Sequence, residues 1–453
     1  MKYFSIVSNS LLITYNFFKV NITITPSSVS GKIKVRPSKS SMQRACAAAL
    51  ITPGTTIIDN FGSSNDEKAA MDIITKLGAT INIVDNKMAV TSNDYIFHSQ
   101  FPEKNVIVNV GESGLSMRMF APIASLFNYD IIFTGEGSIL KRPMNFFDEI
   151  LPLLDVQVHS NSGKLPVTLR GPLHPKDITI DGSLSSQFLT GLLFAFAKSC
   201  TAPVRIAVKA LSSRPYIDLT ISVLKSFGFK IDNHNYEVFT IHPREPLFAH
   251  SIKYTVEGDW SNAAFPLVAG AIAGELTLKG ADLNSCQGDK NIVQALYDCG
   301  ADVHLHNKEI TVKKKPLKAF EFDATHCPDL FPPLVALAAY CKGKTTIKGV
   351  TRLLFKESNR AIALRDEFKK MNADIELNGD WMTINGGNEI KGVNVSSHND
   401  HRIAMATAVA ALAAKGNTTI EGAQAVKKSY PDFFKDLKAL KTNSNASKKA
   451  DVI

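Results

Sequence analysis

YTVEGDWSNAAFPLVAGAIAGELTLKGA, residues Tyr254–Ala281, alternates like a strand, turns through a polar stretch, runs on as an apolar alanine-rich helix and ends in a second alternating strand. The same plan recurs at IKVRPSKSSMQR from Ile33, IVNVGESGLSMR from Ile107, ITIDGSLSSQF from Ile178, FEFDATHCPDL from Phe320 and VNVSSHNDHRIA from Val393. Strands after these helices begin near Gly54, Asp130, Ala202, Gly274, Gly343 and Gly416. A second helix recurs as well, ending at Gly78, Asp155, Gly228, Gly300 and Asn372, positions 77, 73, 72 and 72 apart, and leads into hairpins such as GADVHLHNKEITV and NADIELNGDWMTI. A period of this length exceeds the roughly 20–50 residues of solenoid and propeller repeats, so each copy is a substantial α/β unit of its own.

The sixth copy has no hairpin, because after PDFFKDLKALK the chain becomes the polar tail TNSNASKKADVI. The N-terminal pair ITITP and GKIKV is expected to supply it, which makes the two chain ends partners. The expected organisation is an extension over 1–20 without fixed structure, one half of three copies over 38–254, a discontinuous half over 21–37 plus 255–441, and a disordered tail over 442–453. The chain crosses between halves near Pro37 and Tyr254, and the site is expected in the cleft between them.

At 453 residues the chain is too long for one ordinary core, and 45% hydrophobic with 21% charged content is globular. The six cysteines show no C-x-x-C spacing and mostly sit in apolar helices, which reads as buried thiols in a reducing cytoplasm. No apolar run approaches the roughly 18 residues of a membrane span, and the opening MKYFSIVSNSLLITYNFFKVN lacks an A-x-A cleavage site.

The net charge of +9 admits nucleic acid, a membrane surface or acidic small molecules. Position favours the last. There is no RNP-like or zinc-finger pattern, and many cations of interest stand singly in the polar turns or one helical turn beyond. A helix N-terminus offers free backbone N–H groups to phosphate or carboxylate, Arg adds a two-pronged grip, and Lys a compact charge. Ordinary capping by Ser, Asp or Asn explains any single turn, but six turns carrying this many cations suit a multiply charged ligand better.

The stretches SKSSMQR at Ser38, GLSMR at Gly114, KRP at Lys141, SSQF at Ser185, SSRPYID at Ser212, EGDWSNAA at Glu257, PD at Pro328, KESNR at Lys356, NDHRIAM at Asn399 and KKSYPDFF at Lys427 resemble the EPSP synthase (3-phosphoshikimate 1-carboxyvinyltransferase) family over about residues 22–440. The resemblance implies a two-domain inverse α/β barrel, each domain made of three βαβαββ repeats around parallel helices. It also implies transfer of an enolpyruvyl group from phosphoenolpyruvate to the 5-hydroxyl of shikimate 3-phosphate, by addition and elimination, on the way to chorismate. This reaction needs a base, an acid and cationic clamps, with no metal or redox cofactor. A cytoplasmic monomer with two small-molecule substrates, and with neither nucleic acid nor membrane as partner, is expected.

By the same resemblance, Asp329 takes the hydroxyl proton and Glu357 supplies the methylene proton; a closed, desolvated cleft would raise the pKa of such an acid. Read alone, Asp329 in CPDLFPP is a helix cap and Glu357 a surface charge. Lys39 matches a lysine touching both substrates and serving catalysis. Arg142, Arg360, Arg402 and Lys428 match the clamp on phosphoenolpyruvate, beside Gly114 and Gln187. Ser40 and Arg44 match carboxylate ligands of shikimate 3-phosphate, with Ser185, Ser186 and Ser213 around its 3-phosphate and Gln187, Asp329 and Lys356 completing that site. Arg118, Tyr216, Arg352 and His401 are assigned to the lining.

The chain departs from the family pattern at four places: Arg36-Pro37 stands for P-G, Glu112 for the asparagine of N-A-G-T, Arg352 for an asparagine, and Asn359 for the aspartate of K-E-S-D-R. They bear on affinity and inhibitor response rather than on reaction class. The related UDP-N-acetylglucosamine 1-carboxyvinyltransferases use a loop cysteine, whereas EGSILKRP, 136–143, has none. A non-catalytic anion-binding scaffold of the same fold is the reading from another class. Because facing cation-lined turns repel until an anion intervenes, the halves are expected to close on shikimate 3-phosphate.

Overall fold

The computed structural model describes residues 19–97, 105–245, 251–306 and 308–441. Most of the expected N-terminal extension, 1–18, and the tail 442–453 lie outside them. Val20, at the end of that extension, is tied down: its N–H donates to Gln424 Oε1 and its carbonyl accepts from the N–H of Ala423. Among the described residues no helix is long and apolar enough to cross a membrane.

Among the described residues six small sheets share one plan, in which a strand pairs in parallel with the strand after the helix, and that strand continues into an antiparallel neighbour. The sheet of Asn105–Asn109 shows it: this strand runs parallel to Asp130–Thr134, which pairs antiparallel with Val167–Arg170. The first helix of each unit is buried on nearly every face. Lys39–Ile51, Gly114–Ala124 and Ser186–Ser199 pack with Met42, Phe120 and Phe194 at no exposure, while Trp260–Ala273, Phe331–Ala338 and His401–Ala411 form the equivalent bundle around Phe265, Leu334 and Met405. Their alanine and glycine content permits this. Gly191 faces backbone so closely that an added Cβ would lie 2.5 Å from the carbonyl oxygen of Arg118. Burying one Leu, Ile or Phe side chain is worth about 1.5–3 kcal/mol, so these helices dominate the driving force.

The second helices are amphipathic and end in residues with left-handed backbone: Gly78, Asp155, Gly228, Gly300 and Asn372 all have positive φ, between 68° and 102°. Each thereby turns the chain back toward its hairpin.

The described residues form two hydrophobic cores. One runs from Met42 to Val256; the other joins Ile24, Val29 and Val35 to Trp260 through Leu440. At both crossings a strand lies with one core and the helix after it with the other. Val29–Lys34 pairs with Gly274–Lys279 yet leads into Lys39–Ile51, and Ile252–Thr255 pairs with Gly54–Asp59 yet leads into Trp260–Ala273. The two crossing segments bond to each other, Ser38 N–H to Glu257 O at 2.7 Å and Asp259 N–H to Arg36 O at 2.8 Å. A Cβ at Gly258 would lie 2.3 Å from Val35 Cγ1 and 2.4 Å from Gly280 O, so this close approach requires glycine.

The N-terminal strands differ in detail from the sequence expectation. Ile22–Ile24 does pair antiparallel with Thr418–Glu421, but Val29–Lys34 is not its hairpin partner in the sixth sheet. It is needed as the parallel first strand beside Gly274–Lys279, whose edge would otherwise be left unpaired.

Candidate active site

N-termini of the helices Lys39–Ile51, Gly114–Ala124, Ser186–Ser199 and His401–Ala411 converge on a cavity of about 320 Å³ lined from both cores. Ser38, Ser113, Ser185, Asp259 and Asp400 each accept a backbone N–H of the helix they open. The fifth junction is the exception: Cys327 provides no side-chain cap, and the Asp329 carboxylate faces cations in place of its own helix. Asp329 is therefore not a cap. The residues singled out in the sequence line this cavity, apart from Arg360 and Lys428.

Arg360 lies behind the cavity wall, fully buried, and holds three carboxylates at once. Its Nε donates to Asp400 Oδ2 at 2.9 Å, one terminal nitrogen to Asp329 Oδ1 at 2.8 Å, and the other to Glu357 Oε2 at 2.6 Å. Burial works against this guanidinium's charge, but Asp400, Glu357 and Asp329 together raise its pKa. In this geometry Arg360 is a bracket that fixes the two candidate acid–base carboxylates relative to each other. Breaking such a buried set by removing one partner costs about 3–5 kcal/mol.

Asp329 also receives Lys356 Nζ at 3.2 Å and an Arg402 terminal nitrogen at 3.1 Å. Glu357 has Arg142 at 3.4 Å and Lys428 Nζ at 3.6 Å. Burial pushes both carboxyls up, yet the cations prevail and hold each well below the usual carboxylate range: Arg402, Lys356 and Arg360 for Asp329, and Arg142, Lys428 and Arg360 for Glu357. The raised pKa expected for Glu357 from burial alone is reversed by these three cations.

The facing wall differs. Arg118 donates to Gln187 Oε1 at 3.0 Å and lies over the Phe188 ring, but its Nε finds no acceptor among the described residues. Burial and the neighbouring Arg142 push its pKa down to about 9. Arg142 Nε is likewise buried without a partner. Gly114 lies against this pair. A Cβ there would fall 2.6 Å from one Arg142 terminal nitrogen and 2.9 Å from an Arg118 one, so glycine leaves room for two guanidinium groups as well as for backbone approach.

Among the described residues Arg44 donates only to neutral oxygens, Thr220 Oγ1, Ser40 O and Tyr216 O, and burial pushes it down to about 10. Lys39 is balanced by Asp66 at 2.7 Å; burial opposes its charge, but Asp66 and Glu357 raise its pKa overall. Arg352 reaches across the cleft to Ser183 O, Leu184 O at 3.2 Å and Ser213 Oγ at 3.4 Å. Tyr216 crosses in the other direction, donating to Asp289 Oδ2 at 3.0 Å. His401 has both ring nitrogens buried with no hydrogen bond among the described residues, and burial holds its pKa well below the usual histidine range, which favours the neutral ring.

Sequence reasoning passed over Asp66, Asp289, Asp400 and Gln287. Asp400 precedes a buried helix and Asp66 opens the helix Asn65–Lys76, so both look like ordinary caps in the sequence. Gln287 clamps the crossing, accepting from Trp260 N–H at 3.0 Å and donating to Gly258 O at 2.8 Å. In the sequence it is one polar residue among several in ADLNSCQGDKN, 281–291, and nothing there marks it out.

A family model described as EPSP synthase (3-phosphoshikimate 1-carboxyvinyltransferase) matches residues 24–437. The 3-phosphoshikimate 1-carboxyvinyltransferase of Clostridium kluyveri is 36% identical over 420 residues, 92% of this chain and 97% of that protein. The enzyme of the same name from Methanocorpusculum labreanum is 34% identical, with 93% of this chain and 98% of that one covered. Among solved structures, an EPSP synthase from Acinetobacter baumannii superposes with a TM-score of 0.78 at 26% identity, covering 93% and 98% of the two chains. The enolpyruvyl transferase NikO from Streptomyces tendae shares the fold, with a TM-score of 0.73 at 19% identity over 92% and 96%.

Proposed function

The chain belongs to the EPSP synthase (3-phosphoshikimate 1-carboxyvinyltransferase) family, and from that premise we propose how its cleft carries the reaction. The activity is transfer of the enolpyruvyl group of phosphoenolpyruvate to the 5-hydroxyl of shikimate 3-phosphate, with release of inorganic phosphate. The observation that supports the division of roles is the Arg360 bracket. It holds two ionised carboxylates, Asp329 and Glu357, within one cation-rich cavity.

In the addition step Asp329 removes the hydroxyl proton, the oxygen bonds to carbon 2 of the enol, and the displaced π pair takes a proton from Glu357 at carbon 3. In the elimination step the Glu357 carboxylate takes back a methyl proton, the bond from carbon 2 to the phosphate oxygen breaks, and phosphate leaves with the proton held by Asp329. Protons balance over the cycle, and both carboxyls end as they began.

Glu357 must be protonated to begin. Its low pKa depends on Arg142 and Lys428. When the phosphate and carboxylate of phosphoenolpyruvate engage these cations, their field at Glu357 is compensated, burial dominates, and the proton affinity rises. Lys39, Arg118, Arg402 and Gln187 complete this anion site. Ser40, Arg44, Ser185, Ser186, Ser213 and Lys356 surround shikimate 3-phosphate, where Arg44 meets a carboxylate it does not find within the protein. The cations act as preset electrostatic partners for charge that shifts during transfer. One chain supplies every residue named, so a monomer suffices.

The direct test is purified protein with both substrates, monitored for phosphate release. Release that requires both substrates supports the reading. No release with shikimate 3-phosphate overturns the assignment, and release with UDP-N-acetylglucosamine in its place would move it to the alternative acceptor.

A further inference from the structure

Glu112 lies two residues before Gly114 and outside the cavity lining, yet it touches the second core at two points. Its Oε1 accepts from Asn399 Nδ2 at 3.0 Å, its Oε2 lies 3.6 Å from Lys428 Nζ, and its carbonyl oxygen accepts from the same Nζ at 2.9 Å. On its own side, Oε2 accepts from Ser138 Oγ at 3.1 Å, and that oxygen in turn accepts from an Arg142 terminal nitrogen at 3.3 Å. Gly137, with φ +59°, makes the space: a Cβ there would fall 2.4 Å from Oε1.

Lys428 is buried and has three N–H groups. It faces the carbonyl and carboxylate of Glu112 and Glu357 Oε1 at 3.6 Å, all of them protein oxygens. One side chain thus reaches both Lys428 and, through Ser138, Arg142. These are two of the cations assigned above to phosphoenolpyruvate. A neutral amide in this place would offer an acceptor oxygen without the charge.

We propose that Glu112 is a positioning residue for this reaction: it pins Lys428 across the cleft, and its charge competes with the substrate phosphate for that lysine. The inference rests on the reading of Lys428 as a phosphoenolpyruvate ligand. Pinning and competition are separable, because the carbonyl oxygen and the Asn399 contact hold geometry whereas the carboxylate alone supplies charge.

Two variants of the full-length protein separate them. Glu112→Gln keeps one acceptor oxygen, which can serve Asn399, and removes the charge. It is expected to lower KM for phosphoenolpyruvate about fivefold at low salt, the upper range of a partly exposed ion pair. KM for shikimate 3-phosphate should stay unchanged and kcat within about twofold, and the gap to the parent should shrink as salt screens the pair. Asn399→Ala cuts one cross-cleft bond and keeps the charge, so its KM for phosphoenolpyruvate should match the parent. The proposal is overturned if Glu112→Gln has an unchanged or higher KM, or if Asn399→Ala shifts KM equally. Either outcome with normal turnover would leave the enolpyruvyl transfer itself intact, whereas an inactive parent protein would remove the premise.

Discussion

On the wall built from the second core, the guanidinium of Arg360 is enclosed by Asp329, Glu357 and Asp400; on the facing wall, Arg44 and Arg118 are also buried, but their hydrogen-bond acceptors among the described residues are hydroxyl, carbonyl and amide oxygens. The same side chain in the same depth of protein has its proton affinity raised in the first setting and lowered in the second. Burial opposes every charge, so the partners decide. One wall is an assembled acid–base apparatus. The other carries positive charge that the anionic substrates are suited to balance.

The widest gap between the walls should appear in turnover. Asp329→Asn and Glu357→Gln are expected to reduce kcat by about 10²–10⁴-fold, the usual worth of a positioned acid or base, with the folded state retained. Steady-state phosphate release and circular dichroism check this; parent-like kcat in either variant removes that residue's role.

Stability should divide the walls next. Arg360→Met leaves the buried Asp400 and the part-buried Asp329 and Glu357 without their shared cation and is expected to cost about 3–5 kcal/mol. Arg118→Met removes a buried cation that has no carboxylate partner, so the free protein should be as stable as the parent or up to about 2 kcal/mol more so, while binding phosphoenolpyruvate less well. Urea unfolding with a KM measurement decides. Equal destabilisation by both variants would erase the contrast.

A smaller effect is expected at Gly114→Ala, whose Cβ forces Arg142 and Arg118 apart. KM for phosphoenolpyruvate should rise about tenfold, equivalent to about 1.4 kcal/mol, with KM for shikimate 3-phosphate little changed. A parent-like KM for phosphoenolpyruvate would show that the guanidinium groups move aside freely.

Glu67 gives the carboxyl counterpart of Arg118. Its Oε1 is buried with no hydrogen bond among the described residues, and burial pushes its pKa up to about 7. A carboxyl with a raised folded-state pKa favours folding while protonated. That contribution is whole below the unfolded value near 4.3 and is lost as pH rises to about 7. Glu67→Gln should therefore stabilise the protein by about 1–2 kcal/mol more at pH 8 than at pH 5. Thermal melts at the two pH values test this; an equal shift at both would mean that Glu67 is ionised throughout.

Much of the fold was legible because its signals are local. Alternation marks strands, alanine-rich runs mark the buried helices, and Gly78, Gly228, Gly300 and Asn372 end second helices where only a left-handed residue closes the turn. Less legible was Val29–Lys34, whose alternation is that of any edge strand; its place beside Gly274–Lys279 depends on a neighbour some 240 residues away. At the site, motif position picked out the lining, including Asp329 and Glu357, but gave no sign that Arg360 also joins three carboxylates. In KESNR nothing distinguishes an arginine that faces ligand from one that faces Asp400, because that carboxylate arrives from another helix.

The sequence by itself determined the repeated α/β unit, the family, and the set of residues brought to the cleft, since helix caps, glycine turns and hydrophobic periods are read from neighbours along the chain. Only the tertiary structure decided which of those charges are paired. The Arg360 bracket, the low pKa of Glu357, the placing of Arg118 against Gln187 and the reach of Glu112 to Lys428 all depend on distances of a few ångströms between distant segments. Electrostatic energy in a buried site depends on those distances and on access to water, and neither is written in the order of residues.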